Sequence, residues 1–357
     1  MTDRIVFVIP DMPGGGTERV VALLANEYCR RGIGVTILLF AGNERAYPLR
    51  EGIEVVCVGN PSGGSIRERL GRIGRMRRFY REHKGCQIWA FSVMGAVFSA
   101  VAAFGQRHFV LVSERNDPNK YEHPKIRNLS YRLADVVVCQ TKDAVESFPG
   151  AIRRKAAVVP NPLALKDVSP YEGKREARIV AVGRLSAQKN HRLLLEAFVA
   201  FARKHEAYVL ELYGKGELEE DLKKLAQSLG IGERVRFLGF CDNVQEKIRK
   251  AGMYVLSSDY EGISNSMLEA MALGMPVIAT DCPIGGSRMF IKDGINGLLV
   301  PVGDAGALSA AMDRLAEDPA YGERLGREAA KLKEELAVSK IGDRFLALSG
   351  KEEVYYA

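Results

Sequence analysis

Short, uniformly apolar runs recur through the first 160 residues, at 5–10, 35–40, 53–58, 87–92, 108–113 and 136–140. They are rich in Val, Ile and Leu and lack polar alternation, which predicts strands of a parallel sheet covered on both faces. Helical spacing fills the gaps. Val20, Leu24 and Tyr28 line one face, and Leu129, Arg132 and Leu133 end a second helix before Asp135. Strand and helix in alternation predict a doubly wound α/β domain. The uncharged stretch 88–104 divides into a strand and a small-residue helix (94–104), being short for a membrane span and interrupted by Ser92, Gly95 and Ser99.

A strand ending in Val158, Val159, Pro160, Asn161 and Pro162, followed by the polar stretch 166–176, reads as a hinge. The alternation then resumes, with strands expected at 178–183, 208–214, 234–240 and 253–258. Residues 1–163 and 164–335 are thus two expected domains, which suits a length of 357 residues.

Residues 259–301 organise the second half. Glu261 falls in a loop just past an apolar run, and Glu269 lies inside an expected helix, 265–273, that Gly274 stops. Eight positions are roughly 12 Å of helix, too far for one shared metal but suited to two ends of an extended ligand. Between them, Gly262, Ile263, Ser264 and Asn265 bring backbone amides to a helix N-terminus, where a phosphate is stabilised. Upstream, Arg184 and Lys189 lie in Gly183-Arg184-Leu185-Ser186-Ala187-Gln188-Lys189-Asn190, a loop at a strand's carboxyl end where two cations would neutralise a diphosphate.

These two segments, with Ala270-Met271-Ala272, Gly274 and Pro276-Val277-Ile278-Ala279-Thr280, resemble the donor-binding signature of family-four retaining glycosyltransferases of the GT-B fold. The resemblance runs over about residues 5–345. It implies two doubly wound, Rossmann-like parallel-sheet domains facing a cleft: an acceptor-binding domain, a nucleotide-sugar donor-binding domain, and a helix within 336–357 that crosses back to the first. It further implies Glu261 on the donor sugar's hydroxyls, Glu269 on the ribose, and the base near Phe240. Arg184 and Lys189 would meet the diphosphate, and closure of the cleft would exclude water.

In the first half, Gly14, Gly15 and Gly16 join the first strand to the first helix. The run does not match a dinucleotide fingerprint, since Arg19 stands at the third glycine position; it reads as a tight turn or as a close approach to a ligand. The resemblance gives Gly15 and Gly16 to the donor. Many members of the family carry His where this chain places Arg115, so Arg115, toward a phosphate, or Glu114 is the contacting group there, or the loop holds a salt bridge and no ligand. Relatives also often carry Pro-Arg-Glu where this chain has Gly286-Ser287-Arg288-Met289.

Charge changes the picture in one place. Residues 1–163 hold 24 Lys/Arg against 15 Asp/Glu, and the second half is slightly acidic. Residues 66–84 are the most biased segment, with Ile66, Leu70, Ile73 and Tyr80 at helical spacing and Arg72, Arg75 and Arg78 on other faces. This is a surface helix with a solvated basic side, or an element that touches anionic lipid or a lipid diphosphate. No stacking platform for nucleic acid accompanies it. Six scattered cysteines read as buried reduced thiols, and neither clustered histidines nor an Asp-x-Asp pair suggests a metal. No signal segment is expected at the start.

The function these readings imply is transfer of a hexosyl or N-acetylhexosaminyl group from a nucleoside-diphosphate donor, UDP by the resemblance. Transfer would be retaining and metal-independent, without a cofactor beyond the donor substrate. The acceptor would be a hydroxyl of a lipid-diphosphate-linked glycan in polysaccharide assembly, and the enzyme cytoplasmic and peripheral on the membrane's inner face. Two rival classes are a nucleotide-sugar epimerase of the same shape and a non-catalytic nucleotide-sugar-binding protein at the membrane surface.

Overall fold

The computed structural model describes residues 4–59, 65–165, 169–171 and 173–350. The chain divides into two compact units, the described residues of Met1–Pro162 with Leu336–Ala357, and those of Leu163–Glu335. The polar stretch read as a hinge lies partly outside the described residues, at 166–168 and 172, as does the end of the expected C-terminal segment, 351–357.

In the first unit β1 (Arg4–Ile9) and α1 (Gly16–Arg30) lead to β2 (Gly34–Leu39) and β3 (Glu54–Cys57). The chain then crosses through α2 (Ile66–Glu82) to β4 (Gln87–Ala90), α3 (Val93–Ala102), β5 (Phe109–Ser113), α4 (Pro124–Leu133) and β6 (Val136–Cys139). Short helices α5 (Lys142–Glu146) and α6 (Gly150–Arg153) precede β7 (Ala156–Val158). The seven strands are all parallel, in the order β3-β2-β1-β4-β5-β6-β7. The apolar runs explain this, since β1, β4, β5 and β6 bury both faces. The run 53–58 departs from that expectation: β3 is an edge strand with Glu54 and Cys57 exposed, because nothing pairs beyond it.

The second unit repeats the theme with β8 (Glu176–Val182), α7 (His191–Lys204), β9 (Val209–Tyr213), α8 (Glu219–Ser228), β10 (Val235–Gly239), α9 (Val244–Ile248) and β11 (Ala251–Leu256). It continues with α10 (Asn265–Ala272), β12 (Val277–Thr280), α11 (Gly286–Phe290), β13 (Leu298–Val300), α12 (Ala305–Glu317), α13 (Pro319–Ala330) and α14 (Leu332–Glu335). Its six parallel strands run β10-β9-β8-β11-β12-β13. In both sheets the order reverses beside the first strand of the unit, so loops leaving neighbouring strands diverge there and open a crevice at their carboxyl ends.

Helix α15 (Val338–Ala347) belongs to the first unit. Tyr28 donates to the Gly342 carbonyl at 2.9 Å, and Phe345 stacks on Trp89 with ring centroids 5.6 Å apart. Truncating a fully buried Phe of this kind costs about 3–5 kcal/mol, enough to release the helix.

Among the described residues no helix is long and apolar enough to cross a membrane; the uncharged stretch 88–104 is β4 followed by α3. All six cysteines are free, but only Cys86, Cys139 and Cys282 are buried; Cys57 is exposed on the edge strand.

Candidate functional site

Strands β8 and β11 are hydrogen-bonded neighbours, so the loops leaving their carboxyl ends meet. Each carries half of an ion pair: Lys189 Nζ donates to Glu261 Oε2 at 2.5 Å, with both side chains mostly buried. Residues around the pair hold it in place. Ser258 Oγ donates to Glu261 Oε2 at 3.2 Å, and Gln188 Nε2 donates to Glu261 Oε1 at 3.4 Å and to the Tyr260 carbonyl at 3.0 Å. In return Ser257 Oγ donates to the Lys189 carbonyl at 2.9 Å, and the Asp259 amide to the Gln188 carbonyl at 3.0 Å.

Asn190 completes the junction. Its Nδ2 donates to Asp259 Oδ1 at 2.7 Å while its Oδ1 accepts from the Leu193 amide at 3.1 Å, capping α7. Its φ of 42° is left-handed, a conformation Asn tolerates better than most residues. His191 follows, buried; burial, with the Lys189 charge as the lesser cause, pushes its pKa down to about 4. Arg184, on the same loop, is exposed, and its guanidinium is bonded to no described residue.

The loops after β9 and β10 close on this edge through backbone contact. Gly214 has φ +138°, and a Cβ there would stand 1.9 Å from the Gly183 carbonyl oxygen, so only glycine fits. Its amide donates to the Gly239 carbonyl at 2.8 Å. Phe240 follows, 63% exposed: a large apolar ring left in solvent where a planar ligand would stack.

Helix α10 starts from Ser264, whose Oγ accepts the Met267 amide at 3.4 Å. No acidic side chain lies in its first turn to offset the positive end of the helix dipole. Ser266 Oγ donates to the Val182 carbonyl at 2.8 Å and shares a 2.8 Å hydrogen bond with Tyr254, tying the helix start to the ends of β8 and β11. Gly262, Ile263 and Ser264 are buried and Asn265 half-buried. Gly286 packs so close that a Cβ would lie 1.6 Å from the Gly262 carbonyl oxygen. Glu269, one turn further along, is 3% exposed. The structure thus brings Arg184, Lys189, Glu261 and the start of α10 to one edge of the second sheet, with Glu269 inside the helix behind.

In the first unit, Gly15 is the N-cap of α1 and Gly16 its first residue; Tyr47 donates to the carbonyls of Gly14 (2.9 Å) and Gly15 (3.1 Å). Arg115 leaves the end of β5 half-buried. It donates to Ser113 Oγ at 3.4 Å and to Asn161 Oδ1, and stacks 5.5 Å over Phe91. Its Nε is buried without a partner, and burial pushes its pKa down to about 10. Glu114 turns the other way, accepting from Tyr131 at 2.9 Å and from the amides of Arg115 and Asn116. Of the two contacting groups the sequence allowed, Glu114 is bound into the fold and Arg115 carries the spare donor.

Helix α2 corrects the sequence reading. Its buried residues are Arg72, Met76, Phe79 and Tyr80, whereas Ile66 and Leu70, expected on the apolar stripe, are exposed. The reason is Arg72, whose guanidinium lies 5.3 Å over Phe98 and 5.9 Å over Phe40; its stem fills the space an aliphatic residue would take. Arg72 therefore offers no charge to a surface. Arg75 donates to the Val58 carbonyl at 2.7 Å and pairs with Glu68, and Arg78 is exposed.

Sequence reasoning gave no role to Gln188, Asn190, Ser258 or Asp259, which set the geometry of Lys189 and Glu261. The available signal was Asn190 at a helix start, a preferred N-cap; the contacts across 68–73 positions leave no local trace.

Residues 167–332 match the family described as glycosyl transferases group 1, and residues 14–166 the one described as glycosyltransferase family 4. A Campylobacter jejuni protein named GalNAc-alpha-(1->4)-GalNAc-alpha-(1->3)-diNAcBac-PP-undecaprenol alpha-1,4-N-acetyl-D-galactosaminyltransferase is 26% identical over 97% of this chain and 98% of its own. The Rhizobium meliloti lipopolysaccharide core biosynthesis glycosyltransferase LpsE is 33% identical over 55% of this chain and 58% of its own. Among solved structures, Anabaena HepE in complex with UDP superposes with a TM-score of 0.84 at 20% identity, covering 96% of this chain and 98% of that one. The fold this chain shares with such neighbours is GT-B, two parallel-sheet α/β units.

Proposed function

The chain belongs to the group 1 glycosyltransferases with a family 4 N-terminal half, and from that premise we propose that it is a retaining transferase. It moves a sugar from a uridine-diphosphate donor to a hydroxyl of a glycan carried on a lipid diphosphate. The observation that carries the reading is the Lys189–Glu261 pair, locked at one sheet edge beside Arg184 and the start of α10. A diphosphate arriving there meets Arg184, the uncompensated N-terminal end of α10, and Lys189 in competition with Glu261. Glu261, released or shared, accepts from the sugar's hydroxyls, and Glu269 from the ribose. Phe240 stacks on the base.

In the proposed step the acceptor oxygen bonds to the anomeric carbon on the face the diphosphate leaves. The anomeric C–O bond to the β-phosphate breaks with its electron pair on the phosphate, and the acceptor's proton passes to that oxygen. Stabilising the leaving group is the main work, and cationic side chains with a helix terminus supply it here without a metal. The lipid-diphosphate acceptor is supported by the undecaprenol-linked substrate in the Campylobacter relative's name, and the uridine base by the UDP bound to HepE. We assign Arg115, Arg75 and Arg78 to the acceptor's anionic end, and the cytoplasmic face of a membrane as the place of reaction.

Thermal unfolding with UDP, GDP and ADP tests the donor site. At one hundred times Kd a ligand adds about 2.7 kcal/mol, or roughly 5–10 °C for a unit of this size. UDP should give that shift and Glu269→Ala should lose most of it. Product formation from UDP-sugars and a polyprenyl-diphosphate-linked acceptor then tests transfer; donor isomerisation without acceptor would replace the reading with an epimerase.

A further inference from the structure

The segment that follows β2 runs back along the loop between β1 and α1 and is bonded to it repeatedly. Asp11 Oδ1 accepts the Glu44 amide at 2.7 Å and the Met12 amide at 2.9 Å. Gly42 makes room for that carboxylate, since a Cβ there would stand 1.8 Å from Asp11 Oδ2. The Ala46 amide donates to the Met12 carbonyl at 2.9 Å, and Met12 and Arg45 form an isolated parallel bridge.

Tyr47 ends this strap. Its hydroxyl reaches the carbonyls of both Gly14 and Gly15, at 2.9 and 3.1 Å. Contacts on either side fix where that hydroxyl stands. Ala46 is held before it. After it, the Pro48 carbonyl accepts from Asn26 Nδ2 at 3.0 Å, and the Arg50 amide donates to Asn26 Oδ1 at 2.8 Å. Asn26 lies in α1, so Tyr47 is anchored to the helix whose entry loop it holds.

Holding a carbonyl also aims the amide of the next residue. In a trans peptide the C=O and N–H point in opposite directions. With the Gly14 and Gly15 carbonyls turned to Tyr47, the Gly15 and Gly16 amides point away from it. Three consecutive glycines have no side chains to choose that orientation, and Gly14, with φ +116°, sits where other residues fit poorly. The orientation is imposed from outside the loop.

Charge decides what these amides suit. The start of α10 carries no acidic side chain, whereas α1 has Glu18 in its first turn. That carboxylate lies beside the loop, for a Cβ on Gly15 would stand 2.2 Å from Glu18 Oε2. A phosphate next to Gly15 would be repelled by it. A neutral sugar ring would not, because its hydroxyls both accept from amides and donate to a carboxylate.

We propose that Tyr47 is a positioning residue for transfer. Through the Gly14 and Gly15 carbonyls it sets the peptides of the glycine loop so that they, with Glu18, orient the donor's sugar rather than its diphosphate. The inference deepens the proposed transfer reaction and rests on it.

The test is steady-state release of UDP by the full chain, with a polyprenyl-diphosphate-linked acceptor, from UDP-glucose, UDP-galactose, UDP-N-acetylglucosamine and UDP-N-acetylgalactosamine. Thermal unfolding with UDP runs in parallel. Tyr47→Phe removes only the hydroxyl. On the sugar that the native chain uses, it should lower kcat about tenfold and hold KM within about twofold, since the loop acts on the sugar and not on the nucleotide. The UDP shift should stay. Glu18→Gln should show the same split. Replacing Tyr47 with 4-aminophenylalanine, which keeps a donor in the same place, should restore most of the rate. A role in folding alone gives neither the split nor the rescue. Native kcat in Tyr47→Phe would overturn the proposal, as would a joint loss of rate and UDP shift, or a loss that 4-aminophenylalanine leaves unrepaired. A native chain that shows no UDP shift and releases UDP from none of these sugars sinks the transfer reading itself, and the role of Tyr47 falls with it.

Discussion

The two units put their charges to opposite uses. At the edge of the second sheet, Lys189 and Glu261 are paired with each other and clamped by Gln188, Ser258 and Ser257, so the site is assembled before any ligand arrives. In the first unit Arg115 hydrogen-bonds to neutral acceptors and lies over a ring face, and the α2–α3–α4 layer shows cations and leucines to solvent. At the second sheet's edge the Lys189 and Glu261 charges balance each other, whereas the helix layer of the first unit carries more exposed cations than carboxylates. The lesson is that a site for a small polar ligand is built from preorganised contacts, whereas a site for an extended anionic partner is built from surplus.

The sharpest way to break the comparison is at the paired edge. Lys189→Ala and Glu261→Gln should each lower kcat by about 10²–10³-fold, the range for removing one group that meets developing charge. The double variant should cost little more than either single one, because the two act as a unit. Steady-state transfer assays decide this: independent, multiplicative losses would show that the ion pair is incidental.

The same edge gives a pH signature of its own. His191 is held neutral by burial, with a pKa near 4 against an ordinary value of about 6.5. As pH falls the unfolded chain takes up this proton near 6.5 and the folded unit only near 4, so the stabilising effect of the neutral ring is full above 6.5 and is lost between those values. By linkage the loss is about 2 kcal/mol at pH 5. Urea midpoints at pH 7 and pH 5 should show it, and His191→Gln should flatten the difference; an unchanged slope in the variant would assign the acid sensitivity elsewhere.

Much of the fold was legible because its signals are local. Both-face burial in β1, β4, β5 and β6 makes continuous apolar runs, and Gly274 with Pro276 punctuates α10 clearly. The signature around Glu261 and Glu269 was legible as a resemblance, not as geometry: nothing in the spacing of Lys189 and Glu261, 72 positions apart, announces a 2.5 Å contact. Helix α2 shows the opposite failure. Its spacing pointed to Ile66 and Leu70 as the inner face, but an arginine took the inner place by stacking on Phe40 and Phe98. A pattern of apolar and polar residues does not record that Arg can bury its stem and find aromatic faces.

Two glycines sharpen the contrast at smaller scale. Gly286 stands against the Gly262 carbonyl, so Gly286→Ala must displace backbone at the start of α10 and should cost about 2 kcal/mol. It should also weaken the UDP shift. Gly74, in the middle of α2, has nothing within 4 Å of an added Cβ, and Gly74→Ala should stabilise by about 0.5–1 kcal/mol through helix propensity, leaving UDP binding alone. Denaturant midpoints measure both. Equal effects would mean that the edge of the second unit is no more tightly built than an exposed helix.

The least change is expected from Arg115, and it separates the two units most directly. Its pKa near 10 leaves it charged at neutral pH, and its hydrogen-bond partners, Ser113 and Asn161, are neutral. A half-buried cation so placed costs stability in the free protein, because the nearby Glu114 charge repays only part of its desolvation. Arg115→Gln keeps a hydrogen-bonding side chain and removes the charge. It should leave folding stability unchanged or slightly raised, leave the UDP shift unaltered, and raise KM for the lipid-diphosphate acceptor about tenfold, the ~1.4 kcal/mol of one charge-assisted contact. Arg115→Lys should recover part of that loss, since a lysine keeps the charge but not the planar fork. If the Gln variant instead loses stability with acceptor KM unmoved, Arg115 serves the fold, and the surplus charge of the first unit begins at its surface layer.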